Sequence, residues 1–72
     1  MKYLIIEDEH YNAELLKSLV EKLDGNADLL AILPTIQESV EWLSAHPKPD
    51  LIFMDIRLAD GLSFDIFKQT DI

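Results

Sequence analysis

The chain has no cysteine, two glycines, three prolines and only six lysines and arginines in 72 residues. Each scarcity excludes something. Without cysteine no disulfide can staple so short a fold, and the absence fits a reducing compartment. So little glycine and proline rules out a collagen-like or low-complexity chain. The six basic side chains face 14 acidic ones, a net charge of -8. With no basic patch, this segment is not expected to bind nucleic acid or an anionic membrane surface. No apolar run approaches the roughly 20 residues of a spanning helix. The opening MKYLIIEDE reaches its acids too early to be a secretory signal. A cytoplasmic protein is therefore expected. What remains is a chain that is 49% hydrophobic, long enough for one small globular domain. A core of that size supplies only about 3–5 kcal/mol, so a metal or a partner is expected to support it.

Short apolar runs alternate with amphipathic ones. Tyr3 to Ile6 is apolar, rich in β-formers, and stops at Glu7, which predicts a buried strand. Ala13, Leu16, Leu19, Val20 and Leu23 recur at helical spacing and predict an amphipathic helix of about four turns. Gly25 after Asp24 is read as its C′ residue. Ala27 to Leu33, stopped by Pro34, is a second strand. Thr35 with Glu38 forms a capping-box pattern that announces a second helix, with Ile36, Val40 and Leu43 on its apolar face and Pro47 and Pro49 ending it. Leu51 to Met54 is a third strand, closed by Asp55. Gly61 and Ser63 mark a loop and an N-cap, and Phe64, Ile66 and Phe67 begin a third helix. The order βαβαβα, with near-continuous apolar strands, predicts an α/β fold: a parallel sheet covered on both faces.

Two predicted strands end in acids: the first in Glu7, Asp8 and Glu9, the third in Asp55. Ligands of open parallel α/β sheets sit outside the carboxyl ends of the strands. With the first and third strands adjacent, Glu7, Asp8 and Asp55 converge there. Carboxylates packed together repel and raise one another's pKa. A hard divalent cation relieves that cost, and Mg²⁺ needs only two carboxylates and a backbone carbonyl besides its waters. Any one of these acids read singly is a loop residue or a helix cap. Jointly they form a candidate metal site. A carboxylate beside Mg²⁺ can also be a nucleophile that accepts a phosphoryl group, a transfer that depends mainly on positioning and charge neutralisation. Asp55, alone at its strand tip, is the better acceptor; Glu7 and Asp8 are the better metal holders.

The run LIIEDE, the helix NAELLKSLVEKL and the segment PDLIFMDIRLADGLSF resemble the first part of response-regulator receiver domains. The wording D-x-x-L-x-D-G-x-x-F at Asp55, Leu58, Asp60, Gly61 and Phe64 most resembles receivers of LytTR-type transcription regulators. The resemblance spans Met1 to Ile72. It implies a truncated flavodoxin-like receiver fold holding the first three βα units, with strand order 2-1-3. It implies that Asp55 is the phosphoacceptor, that Asp8 and Glu7 hold Mg²⁺, and that the backbone carbonyl of Arg57 completes the protein ligands. Glu7 stands where the family commonly has Asp. A sensor histidine kinase is the implied partner, with DNA bound only through an output domain outside this segment. The family's switch Ser/Thr at the end of strand four and its Lys at the end of strand five have no counterpart here. Residues 1–72 are therefore expected to be an incomplete receiver. Its third strand, an apolar edge without strand four, is expected to pair across a two-fold axis in a homodimer.

Other residues take plainer readings. His10 is expected on the exposed start of the first helix, and His46 at the end of the second. Trp42 is expected at the edge of the second helix's apolar face. Phe53, Phe64 and Phe67 are core candidates. The Arg57 side chain is read as a surface ion-pair former, worth about 0–1 kcal/mol. Asp60 is read as a turn residue, with tuning of metal affinity as the second reading. No enzyme activity is expected. The alternatives are a Mg²⁺-dependent phosphohydrolase with an Asp nucleophile, and an interaction-only module. Haloacid-dehalogenase-like phosphohydrolases usually carry a second Asp two residues after the first, where this chain has Arg57.

Overall fold

A computed structural model describes residues 1–70. The order is β1 (Lys2–Ile6), α1 (His10–Leu23), β2 (Asp28–Leu33), α2 (Ile36–Ala45) and β3 (Leu51–Met54). Two short strands, β4 (Arg57–Leu58) and β5 (Gly61–Leu62), then precede a 3-10 turn (Ser63–Asp65) and α3 (Ile66–Gln69). β1 lies in the middle of a parallel sheet of order β2-β1-β3, the order of the first three strands in a flavodoxin-like receiver.

The apolar run of β1 is explained by burial on both faces. Leu4 and Ile6 point to one side, among Leu33, Ile36, Leu43, Leu58 and Ile66. Tyr3 and Ile5 point to the other, against Ala13 and Val20 of α1. A strand buried on both faces cannot alternate with polar residues. Tyr3 also meets Phe53 of β3 edge to face, with centroids 5.9 Å apart. The β1–β2 register slips by one residue between Tyr3 and Leu4, a bulge that does not interrupt the pairing with β3.

The Thr35 cap forms as expected: its Oγ1 accepts the Glu38 N–H at 3.1 Å. The return leg differs from a full capping box, because the Glu38 carboxylate accepts the Thr35 hydroxyl at 3.3 Å. Five other expectations are corrected. Gly25 is not a left-handed C′ residue. The chain leaves α1 through an extended Asp24, whose side chain accepts the Asn26 N–H and whose carbonyl accepts that of Ala27, so the aspartate makes the turn. Leu19 and Leu23 are exposed, Leu23 at 87%. Only the row Ala13, Leu16 and Val20 packs against this face of the sheet.

The expected loop after Asp55 is instead a β4–β5 hairpin, pairing Arg57 with Leu62 and Leu58 with Gly61. Ser63 is not an N-cap but the first residue of the 3-10 turn. The spacing of that turn places Ser63 and Ile66 inward, three residues apart and fully buried. It therefore turns Phe64 and Phe67 outward, 56% and 53% exposed, and they are not core residues. Trp42 is partly buried at the edge of its core, with His46 stacked on it at 4.2 Å. No helix among the described residues is long and apolar enough to cross a membrane.

Candidate metal centre

The site follows from strand register. Ile6 of β1 faces Met54 of β3, so the next residues, Glu7 and Asp55, leave the sheet side by side. Both are held there by the sheet: the Asp55 N–H donates to the Ile6 carbonyl at 3.0 Å, and the Glu7 N–H donates to that of Leu33 at 3.1 Å. Asp8 follows on the turn into α1. Glu7, Asp8 and Asp55 each offer a carboxylate oxygen, and these oxygens lie within 4.8 Å of one another. The three acids expected from the sequence are thus brought together.

Local bonds fix two of the three. Glu7 Oε1 accepts the Glu9 N–H at 3.1 Å, and Asp55 Oδ1 accepts the Ile56 N–H at 2.8 Å. The two side chains also share a hydrogen bond, which favours the protonated form of Glu7. Glu7 is partly buried, whereas Asp8 and Asp55 are exposed. Burial raises the Glu7 pKa, and the nearby Asp55 and Asp8 charges raise it further, against the Glu9 N–H that lowers it. A shallow cleft beside Glu7 and Asp55 is floored by Leu16, Phe53 and Met54.

A set of oxygen donors with unrelieved like charge fits a hard divalent cation such as Mg²⁺. Arg57 begins β4 two residues beyond Asp55, with its side chain exposed. His10 lies apart from the acids and turns toward Glu14 at 3.9 Å. His46 lies at the C-terminal end of α2, where its Nδ1 meets the Trp42 carbonyl at 2.8 Å.

Asp60 holds a place the sequence reading missed. Its carboxylate accepts the N–H of Ile36 at 2.8 Å and of Gln37 at 3.1 Å, capping α2 from 24 residues away. The Ile36 N–H above all holds its pKa below the usual carboxylate value. The Asp60-Gly61 pair signals a turn. No local signal reveals which helix that turn would meet.

Two curated proteins are similar to the chain. The phyllosphere-induced regulator PhyR of Methylorubrum extorquens is 45% identical over 60 residues, 83% of this chain and 22% of that protein. The sensory transduction protein LytT of Bacillus anthracis is 30% identical over 66 residues, 92% of this chain and 26% of that protein. The chain thus spans about a quarter of the length of these relatives. No protein-family model and no solved structure matches it. The 2-1-3 parallel sheet and these relatives define a receiver domain of the response-regulator type. The chain is thus similar to the N-terminal receiver portion of such regulators.

Proposed function

We propose that the chain is the phosphoacceptor part of a cytoplasmic two-component response regulator, with Asp55 accepting a phosphoryl group from a sensor histidine kinase. The observation that carries this reading is the meeting of Glu7, Asp8 and Asp55 at the carboxyl end of the sheet. Asp8 and Glu7 hold a Mg²⁺ ion together with Asp55 and the Arg57 backbone carbonyl. When bound, that ion neutralises charge on the acids and on the incoming phosphoryl oxygens.

Asp55 has its Oδ1 fixed by the Ile56 N–H. A carboxylate oxygen of Asp55 forms a bond to phosphorus as the P–N bond of the donor phosphohistidine breaks. The freed imidazole takes a proton from solvent, and an aspartyl phosphate remains. The whole regulator would carry the remaining receiver strands and a transcriptional output domain that binds DNA. The test is acid-labile phosphate on the longer protein and on its Asp55→Asn variant, with a small phosphodonor and Mg²⁺. Labelling of the parent alone is expected; equal labelling of both contradicts the assignment. Little stable phosphorylation is expected on residues 1–72 alone.

The same reading includes a homodimer formed through β3. Among the described residues β3 pairs only with β1, and Leu51 on it is exposed. An open strand edge invites another chain. Sedimentation equilibrium of the 8.3 kDa chain at micromolar concentration should show a dimer, and a monomer would remove this part of the reading.

A further inference from the structure

Asp60 lies outside the acid cluster, yet it is tied to it through the chain. The free amides at the start of α2 are met from two places. Thr35 Oγ1 takes the N–H of Glu38, and Asp60 takes those of Ile36 and Gln37. The Thr35 cap is local to the helix. The Asp60 cap comes from the tip of the β4–β5 hairpin, and the base of that hairpin is continuous with the acceptor.

That connection is short and held at each step. Asp55 Oδ1 accepts the Ile56 N–H at 2.8 Å, and the Ile56 carbonyl accepts the Ser63 N–H at 2.8 Å. Arg57 and Leu58 then pair with Leu62 and Gly61, and Leu58 is packed in the core with Ile36. At the tip, Gly61 has φ of +140°, and a Cβ there would lie 3.1 Å from Ile36 Cδ1. The hairpin therefore seats closely on the first turn of α2, and its strongest polar anchor is Asp60.

We infer that Asp60 is a positioning residue for the acid site: by fixing the hairpin tip to α2 it sets the place of Asp55 and of the Arg57 carbonyl. This rests on the proposed metal reading, and it adds a residue that the acids alone do not indicate. Residues that hydrogen-bond a metal ligand directly typically cost about 10–100-fold in metal affinity when removed, and Asp60, acting through the hairpin, is set at the lower end of that range.

The experiment compares Asp60→Ala with Thr35→Ala, both of which uncap α2. Mn²⁺ binding is followed by the electron paramagnetic resonance signal of free Mn²⁺, with far-UV circular dichroism establishing the folded state. Asp60→Ala should lose about tenfold or more in Mn²⁺ affinity, and Thr35→Ala should stay within about twofold of the parent. Where Asp60→Ala does not fold, Asp60→Asn, which keeps one carbonyl acceptor, takes its place with a smaller loss. Equal Mn²⁺ affinity in the parent and the Asp60 variant would overturn the inference.

Amide hydrogen exchange keeps the two readings apart. The Ile56 and Ser63 amides should exchange faster in the Asp60 variant and not in Thr35→Ala. If the parent shows no Asp8-dependent Mn²⁺ binding, the metal reading falls, while this exchange pattern still reads the hairpin. Unchanged exchange at both amides would overturn the positioning role.

Discussion

The two longer helices begin in different ways. α1 starts after Glu9 with no side-chain cap and no acid in its first turn. α2 starts under a local cap from Thr35 and a distant one from Asp60. The two faces of the sheet differ in the same sense. On the α2 side Leu4, Ile6, Leu33, Leu43, Leu58 and Ile66 close a continuous core, and the hairpin seals it. On the α1 side a narrower row packs, and Leu15, Leu19 and Leu23 remain exposed. The acids stand where the two regions meet, with Asp8 on the open side and Asp55 joined to the closed one. The difference shows where order comes from: tertiary caps and a hairpin anchored by the buried Leu58 fix one flank, and the periodic pattern of a single helix fixes the other.

Core truncation should break this comparison most strongly. Leu58 is 3% exposed, and Leu58→Ala should cost about 2–5 kcal/mol, which is of the order of the whole stability of so small a domain. Leu23→Ala, on the open side, should stay within about 0.5 kcal/mol of the parent. Urea unfolding followed by circular dichroism reads both, and similar costs at the two positions would erase the contrast.

The two glycines give a smaller effect with opposite signs. Gly61→Ala places a side chain at φ of +140° against Ile36 and should destabilise by about 1–3 kcal/mol. Gly25 has no atom within 4 Å of an added Cβ and no positive φ. Gly25→Ala should therefore be stabilising by about 0.4–1 kcal/mol, through the unfolded chain. The melting temperatures of the two variants should fall on either side of the parent.

The smallest effect is in pH. The folded pKa of Asp60 is depressed by the Ile36 N–H. Its contribution is thus present above the unfolded value of about 3.9 and is lost as pH falls through the lower folded value. Asp60→Asn should flatten that acid limb of the stability curve and leave the neutral plateau parallel to the parent. An unchanged acid limb would remove Asp60 from the cap.

Much of the fold was legible in local pattern. The apolar run of β1, the Thr35–Glu38 spacing and the acid after Met54 each report a local rule, and the three site acids were found from strand ends alone. The chemistry of Gly25 and Ser63 was misread because their neighbours supply the turn: Asp24 through its side chain, and the 3-10 spacing through Ile66. The role of Asp60 was not legible because a hydrogen bond across 24 residues leaves no periodic trace. Phe64 and Phe67 were placed in the core on hydrophobicity, whereas the helical phase, set by Ile66, turns them out.

The central claim is that Glu7, Asp8 and Asp55 form a divalent cation site. Its most direct test is the melting temperature of the chain and of Asp8→Asn, with and without millimolar Mg²⁺. Without the ion, Asp8→Asn should melt at or above the parent, because one of three crowded charges is gone. With the ion, the parent should gain stability by mass action while the variant gains little, so that their order reverses. A parent whose melting temperature shows no Asp8-dependent response to millimolar Mg²⁺ would contradict the account.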